Sequence, residues 1–570
     1  MKSLILCATF ALAASTGVHA QYFQHQYGYS PDIGTTPLSG MVTSATGPGH
    51  LVAGNHSRNL GGIPLTGDFG IYVLRTDAGG RFTGPGNFNN SYLFMASSGM
   101  ELRFTNGAAA VEYPDGSGYA VVATYFHETL QQNQGIAFVK LDNNGNVVFV
   151  RAYKMPNSTA AVGLSTSSLK PSTSQPGHFF ATGQYFNDLS NYLWAIRFDQ
   201  SGNLFWGGLY DIATVPERPG DLVESPYRSE LLIVGAYPSA GTEKAFMLVL
   251  NSANGAVITA NQMSAGAIAT WESLRSIDVS NDPVSPGFIL SGISDSKPWV
   301  SKLGTTRNFM WSHRYQPVGL PLQYMYAYDV VGRLNTANQY EYYVTGPVNE
   351  DAYIMKLNST GVPVSNGLFM YDIGVEETGL DVDVKNGGAD AGVTMYAVAE
   401  DDPLRQAYIV KAYFNGRSGC NENFISCSRQ SLQCNPVATF GVGTAALLTE
   451  GITLKAIQTN LDAELCYNTT IPGGSNARPE LPASPNALFT PNPVKIQAGG
   501  TLQVIADIAA EAQVTICDMM GRAYYSNKFN LKAGKNELHV ALSNSGMAAG
   551  LYIVKVNSGN LNTSIMLLVK

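Results

Sequence analysis

Charge is scarce in this chain. Asp, Glu, Lys and Arg make up 13% of its 570 residues, and the net charge of -8 is spread along the length. Without a basic patch there is no electrostatic footprint for nucleic acid. Histidine is scarce too: eight residues, scattered, with none of the close spacing that a zinc site needs. Also missing are a Gly-x-Ser-x-Gly elbow, His-Glu-x-x-His, a phosphate loop, a Gly-x-Gly-x-x-Gly that opens a helix, and the Ser-x-Asp-x-Gly-x-Thr-Trp box. The chain therefore announces no nucleophile, metalloprotease or nucleotide chemistry. Helical patterning is rare, and beyond the N-terminus no apolar run is long enough for a transmembrane helix. What abounds is glycine, 59 residues, and tyrosine, 30 residues, which suits many short strands joined by tight turns.

Residues 1–20 combine a charged start (Met1-Lys-Ser), an apolar run over 4–14 and the small-residue exit Val18-His-Ala20. That is the layout of a secretory signal peptide, so the mature chain is expected to begin at Gln21. Cys7 lies inside the apolar run and does not read as a lipid anchor.

One pattern then recurs seven times up to Gly416. Its clearest copy is Asp351-Ala-Tyr-Ile-Met-Lys-Leu-Asn-Ser-Thr-Gly361, and Gly135-Ile-Ala-Phe-Val-Lys-Leu-Asp-Asn-Asn-Gly145 is another. Each copy reads as a strand that is apolar on both faces, followed by a turn, as expected of a strand packed between two neighbouring sheets. An aromatic column (Tyr72, Trp194, Phe246, Trp299, Tyr353, Tyr408) precedes a basic column (Arg75, Lys140, Arg197, Lys302, Lys356, Lys411). The basic side chains are expected to lay their stems along the packing and bring their charge out at the strand end. A second strand precedes each copy, a weaker one precedes most of those, and a fourth follows the turn. Four strands repeated about every 55 residues is the arithmetic of a β-propeller blade, so residues 21–416 are expected to form an all-β, seven-bladed β-propeller.

The Asp/Asn/Gly turns lack the alternating acids and closing Glu of a calcium loop and read as hairpin turns. The seventh blade stops after its third strand. Phe23-Gln-His25-Gln-Tyr27 matches the fourth strand Trp311-Ser-His313-Arg-Tyr315, so residues 21–28 are expected to complete the last blade and close the ring. Asp221, Asp278, Asp329 and Asp383 fall at similar places in the first strands of blades four to seven. There they could crowd the axis and bind a cation such as calcium, or else tie down backbone. Asp372, Glu376 and Glu377 add negative charge near blade seven.

Between 417 and 467 the repeat fails and Cys420, Cys427, Cys434 and Cys466 gather. In an exported chain an even set argues for two disulfides of open pairing, hence a small disulfide-stapled β module. Residues 468–485 have the Pro, Gly and Ser content of a linker. From 486 to 570 five alternating runs read as strands of a β-sandwich.

This tail resembles the type A C-terminal sorting domain of the type IX secretion system. The resemblance rests on Pro491-Asn492-Pro493, on Val514-Thr-Ile-Cys-Asp518-Met-Met-Gly521-Arg522, and on Gly550-Leu-Tyr552-Ile-Val-Lys555-Val556. Cys517 stands where that family more often has an aromatic. The resemblance implies contact with the type IX secretion machinery and a secreted or cell-surface location. For the propeller, the absence of any catalytic pattern favours a binding or adhesion protein for a glycan or other surface ligand. A polysaccharide-degrading enzyme with acid/base residues near the axis, and a structural subunit of a matrix or filament, are the alternatives.

Overall fold

A computed structural model describes the chain from Tyr22 to Val569 except residues 29–32, 44–48, 59–69, 83–85, 97–100, 128–133, 155–161, 188–190, 213–216, 266–270, 319–323, 388–390, 402–403, 420–421, 433–434, 440–442, 469–486, 491–494, 496–498, 507–509, 519–521, 543–545, 559–560 and a few single positions. The signal peptide expected at 1–20 and nearly all of the linker expected at 468–485 therefore lie outside the described residues. The chain divides into two compact units, residues 1–471 and 472–570. The described residues are strands, turns and loops, with no helix among them.

The first unit contains seven four-stranded antiparallel meanders: blades 1 to 6 over residues 33–96, 101–154, 162–211, 218–264, 272–317 and 329–371, and blade 7 over 376–412. The fourth strand of blade 7 is Tyr22–Gly28, paired with Leu404–Ala412. Successive blades enclose seven separate apolar cores. The last unites Tyr396 and Ile409 of blade 7 and Tyr27 with Val52, Tyr72 and Leu74 of blade 1, so the ring closes on itself.

Repeating residues explain how the blades fit. The aromatic column lies opposite small residues of the second strand: Trp194 faces Gly183, Phe246 faces Gly235, and Tyr353 faces Gly346. A Cβ on Gly183 would stand 2.5 Å from the Trp194 ring, so the ring fills the space that the missing side chain leaves. The basic column differs from expectation. Lys302 and Lys411 are fully buried, and Arg75 and Arg197 nearly so. They do not reach water; they cross to the next blade. Arg197 Nη1 donates to the Ser252 carbonyl at 3.1 Å, Lys302 Nζ to Tyr342 Oη at 3.0 Å and Arg75 Nε to Tyr119 Oη at 3.1 Å. Fourth strands and turns form a second tie. Tyr92, Tyr153, Tyr210 and Tyr315 donate to the carbonyls of Gly145, Gly202, Gly255 and Gly361 at 2.7–2.9 Å, and Tyr371 and Tyr27 make the same bond to Gly416 and Gly80. All six glycines have positive φ, between 72° and 88°. At the seventh interface, between blades 4 and 5, Met263 replaces the tyrosine. Arg307 takes the left-handed turn position there (φ 68°), and it reaches back to Glu230 of blade 4 at 3.2 Å.

The expected stapled module is not what 417–467 forms. Its short strands pair one by one with the outer edges of the blades, running around the disc against chain order. Glu422–Ile425 adds to blade 6, Cys427–Ser431 to blade 5, Asn435–Thr439 to blade 4, Gly443–Ala446 to blade 3, Leu448–Glu450 to blade 2 and Ile452–Thr459 to blade 1. Leu461–Asn468 ends the circuit on Tyr22–Gly28, leaving that strand held on both sides. This belt covers the unpaired edge of every fourth strand. Its first two strands are mostly exposed, so they have no core of their own to fold around. Cys427 is a free thiol on blade 5, opposite Pro317, while the backbone of Cys466 lies on blade 7. Cys420 and Cys434 lie outside the described residues. Running one strand to each blade sets Cys427 and Cys466 on different blades.

In the second unit Ala487–Thr490, Gly500–Ala506 and Gly534–Val540 form one sheet. Ala523–Leu531, Ala510–Asp518, Gly550–Ser558 and Leu561–Val569 form another, and Leu502, Val514, Ile516, Tyr552, Val554 and Leu567 share a core.

Candidate functional site

The four aspartates singled out in the sequence do not share one register. Asp221 and Asp329 lie opposite the residue that precedes the second-strand glycine, Val234 and Thr345. Asp278 and Asp383 stand one pleat further along, opposite Ile289 and Thr394. The true mate of Asp221 and Asp329 in blade 7 is Asp381, opposite Tyr396. A β-bulge interrupts most first strands; Asp221 and Asp381 directly follow the bulge residue, whereas Asp278 and Asp383 stand two residues further along.

Three kinds of partner engage these carboxylates. Some are backbone amides at the bulges: Ile277 N donates to Asp221 at 3.3 Å and Val382 N to Asp329 at 2.8 Å, each from the next blade. Asp278 and Asp383 accept from the following residue, Val279 N at 2.7 Å and Val384 N at 2.6 Å. Hydroxyls are the second kind, with Ser168 of blade 3 and Ser276 of blade 5 donating to the two oxygens of Asp221. The third is Lys170, whose ammonium is 3.6 Å from Asp221. Against the desolvation of that ammonium, the fields of Asp221, Asp381, Asp329 and Asp278 hold the Lys170 pKa above the ordinary lysine value. Burial pushes the Asp278 carboxyl up to about 7, with the neighbouring carboxylates adding and Lys170 opposing. Positive charge thus stands where the sequence reading set a cation, and it comes from a lysine with no counterpart in the other blades.

A second acidic group lies between blades 6 and 7, where single oxygens of Asp351, Asp372 and Glu377 come within 4.8 Å of one another. Burial, with the charges of Asp372 and Glu350, pushes the Asp351 carboxyl up to about 6.

A cleft of about 200 Å³ opens where blades 4, 5 and 6 meet, at the end of the blades that carries their crossovers. One wall is an extended segment, Tyr324-Met-Tyr-Ala-Tyr328. Met325 and Ala327 are fully buried, so period-2 alternation turns Tyr324, Tyr326 and Tyr328 to the other side. Their rings stack in series, 5.2 and 6.0 Å apart. Hydrogen bonds clamp this segment between two hairpins: Met325 N donates to the Ser296 carbonyl at 3.3 Å, and Asn349 N to the Tyr324 carbonyl at 2.9 Å. Trp271, 46% exposed, lines the same cleft as Tyr326 and Tyr328. Its backbone is pinned by Asp295, which donates its N–H to the Trp271 carbonyl at 2.8 Å and accepts the Trp271 N–H at 3.1 Å. Asp295 and Ser296 both have positive φ (49° and 59°) without being glycine, a costly turn placed at the rim of the cleft. Arg218, paired with Glu243 at 3.5 Å, and Arg275, 5.6 Å from the Tyr328 ring, supply the charge. None of these residues was singled out from sequence. The Tyr-x-Tyr-x-Tyr alternation was the available signal, and it falls in a crossover outside the repeat.

Residues 489–570 match the family model of the secretion system C-terminal sorting domain. The tail is a type IX sorting domain. The sorting domain marks the chain for export, to the cell surface or beyond it, and no helix among the described residues is long and apolar enough to cross a membrane. No curated protein matches the chain significantly. Among solved structures, Sqt1 from Chaetomium thermophilum is 11% identical, covering 72% of this chain and 88% of its own with a TM-score of 0.39. The AfRom2 CNH domain is 9% identical, covering 69% and 99% with a TM-score of 0.33. A glycoside hydrolase family 32 protein from Bifidobacterium adolescentis is 9% identical, covering 78% and 83% with a TM-score of 0.25. Likenesses this loose carry no argument about ligand or activity. Within the sorting domain, Tyr552 is buried and its hydroxyl bonds the backbone of Ala548 at 3.0 Å. Lys555 and Arg522 face solvent, Arg522 lying 5.5 Å from the Tyr524 ring, and Gly550 opens the strand that pairs with Asp518 through Tyr552. Cys517 is buried and free. Pro491, Asn492, Pro493 and Gly521 lie outside the described residues.

Proposed function

We propose that this exported propeller is a glycan-binding protein whose site is the cleft between Trp271 and the Tyr324–Tyr326–Tyr328 stack. The observation that carries the reading is Trp271: an indole nearly half exposed, backed by a pinned backbone and lining one cleft with Tyr326 and Tyr328. An exposed aromatic face suits the C–H face of a sugar ring, and the tyrosine hydroxyls and Arg218 suit its hydroxyls. A well-hydrated polar ligand also fits a cleft of this size better than a deeply buried apolar one would. The rim of the disc is sealed by the belt, which leaves the loop-bearing ends of the blades as the place to meet a ligand. Probing a glycan array with the mature chain and with Trp271→Ala tests this directly. Signal that falls at least tenfold in the variant, with the melting temperature kept, is the expected result. A blank array, or equal signal from both proteins, would remove the reading.

A further inference from the structure

Resting on that reading, we infer that the glycan is anionic, and that Arg275 receives its carboxylate or sulfate group. Arg275 is the extra residue of the bulge in the first strand of blade 5, skipped between Leu274 and Ser276 in the pairing with the second strand. A bulge turns its extra side chain away from the ladder, and here it is turned toward the cleft. The corresponding residues of blades 3, 4 and 7 are Ser167, Gly220 and Leu380, all uncharged. In blade 6 the equivalent residue is Tyr328, which explains why its ring and the Arg275 guanidinium lie side by side. Gly220 matters as well: a Cβ there would lie 2.5 Å from the Arg275 carbonyl oxygen, so its absence lets blade 4 pack against the bulge.

Charge balance around the cleft singles out this arginine. Glu243 is taken by Arg218, and Asp295 by Arg314 at 3.1 Å. Arg275 makes no ion pair among the described residues, and its Nε is buried with no acceptor there. The cleft therefore carries one uncompensated guanidinium, 5.6 Å from the centre of the Tyr328 ring. A flat fork of donors next to a sugar platform selects a planar or tetrahedral oxyanion on the sugar, through charge-assisted hydrogen bonds that a neutral hydroxyl cannot match.

The test uses the mature chain on an array of neutral, uronate-bearing and sulfated oligosaccharides, alongside Arg275→Gln and Arg275→Lys. Signal at least tenfold stronger on anionic than on neutral sugars is expected. Arg275→Gln should erase that preference while melting at the wild-type temperature, and Arg275→Lys, which keeps the charge without the fork, should retain part of it. Uronate-only or sulfate-only signal identifies the group. Neutral sugars bound as well as anionic ones, or a preference that survives in Arg275→Gln, would overturn the inference. If Arg275→Gln melts early, the lysine variant decides: unchanged preference there assigns the selectivity to charge alone and overturns the role of the fork. Neutral-only signal that Trp271→Ala abolishes leaves the glycan site standing and removes only its anionic character, whereas a blank array removes both.

Discussion

Two charged regions of the propeller invite comparison: the axial cluster around Lys170 and the cleft around Arg275. At the axis the carboxylates are engaged by groups of the protein itself. Asp221 takes two hydroxyls, a backbone amide and an ammonium, and Asp329 takes an amide of the next blade. In the cleft the acids are already spoken for by other arginines, and Arg275 is left over. Both regions arise from the same device, a bulge in the first strand that frees backbone and side chain from the ladder. Where the next blade satisfies what is freed, the bulge becomes a joint. Where it does not, a ligand can. Buried polar groups that are fully satisfied contribute order and stability, and those left open are candidates for recognition.

Breaking the axis should produce the larger change in stability. Lys170→Met removes the only cation among the axial groups described here and is expected to cost about 2 kcal/mol, a figure kept low because its side chain is partly exposed. Urea unfolding followed by tryptophan fluorescence would measure it, and glycan binding should not move. Trp271→Ala reverses the pattern: at least tenfold weaker binding on titration, about 1.4 kcal/mol, with the unfolding midpoint unchanged. Next comes the pH response of the axis. The folded Asp278 carboxyl sits near 7, above its ordinary 3.8. Its contribution to stability is therefore fully present below pH 3.8 and is lost as pH rises toward 7. Asp278→Asn should flatten that part of the stability profile and stabilise the chain at pH 7, as thermal melts at a series of pH values would show. The smallest effect concerns the odd interface. Restoring the common pair at blades 4 and 5 with Met263→Tyr and Arg307→Gly gains a hydroxyl–carbonyl bond and relieves the left-handed arginine, but loses the bond to Glu230. A net change within about 1 kcal/mol is expected, and a loss above about 3 kcal/mol would show that the ion pair contributes far more than the bond that replaces it.

The blades were legible in the sequence because their signal is repeated: strands apolar on both faces, a glycine opposite five of the six aromatics with Ala397 opposite the sixth, and turns that mostly end in glycine with positive φ. The matching of Phe23–Tyr27 to Trp311–Tyr315 worked for the same reason, since Tyr27 and Tyr315 make the same bond to a turn carbonyl. Where repetition fails, legibility fails with it. The belt consists of short polar strands with no internal pattern, and what holds them is the edge they cover, which no local sequence reveals. Four cysteines close in sequence suggested a staple, yet successive belt strands sit on successive blades. The aspartate column was misaligned because Asp278 and Asp383 stand one pleat past Asp221 and Asp329, while blade 7 carries an aspartate in both registers, Asp381 and Asp383. Lys170 and Arg275 each occur in one blade only, so the repeat gave no cue to either.

The most direct test of the account places Lys170→Met and Arg275→Gln side by side, each melted and each titrated with the glycan that gives the strongest array signal. The account predicts a double dissociation. Lys170→Met unfolds earlier and binds as the wild type does, whereas Arg275→Gln unfolds with the wild type and binds at least tenfold more weakly. Weakened binding in Lys170→Met with intact binding in Arg275→Gln would contradict it, and would move the ligand from the cleft to the axis.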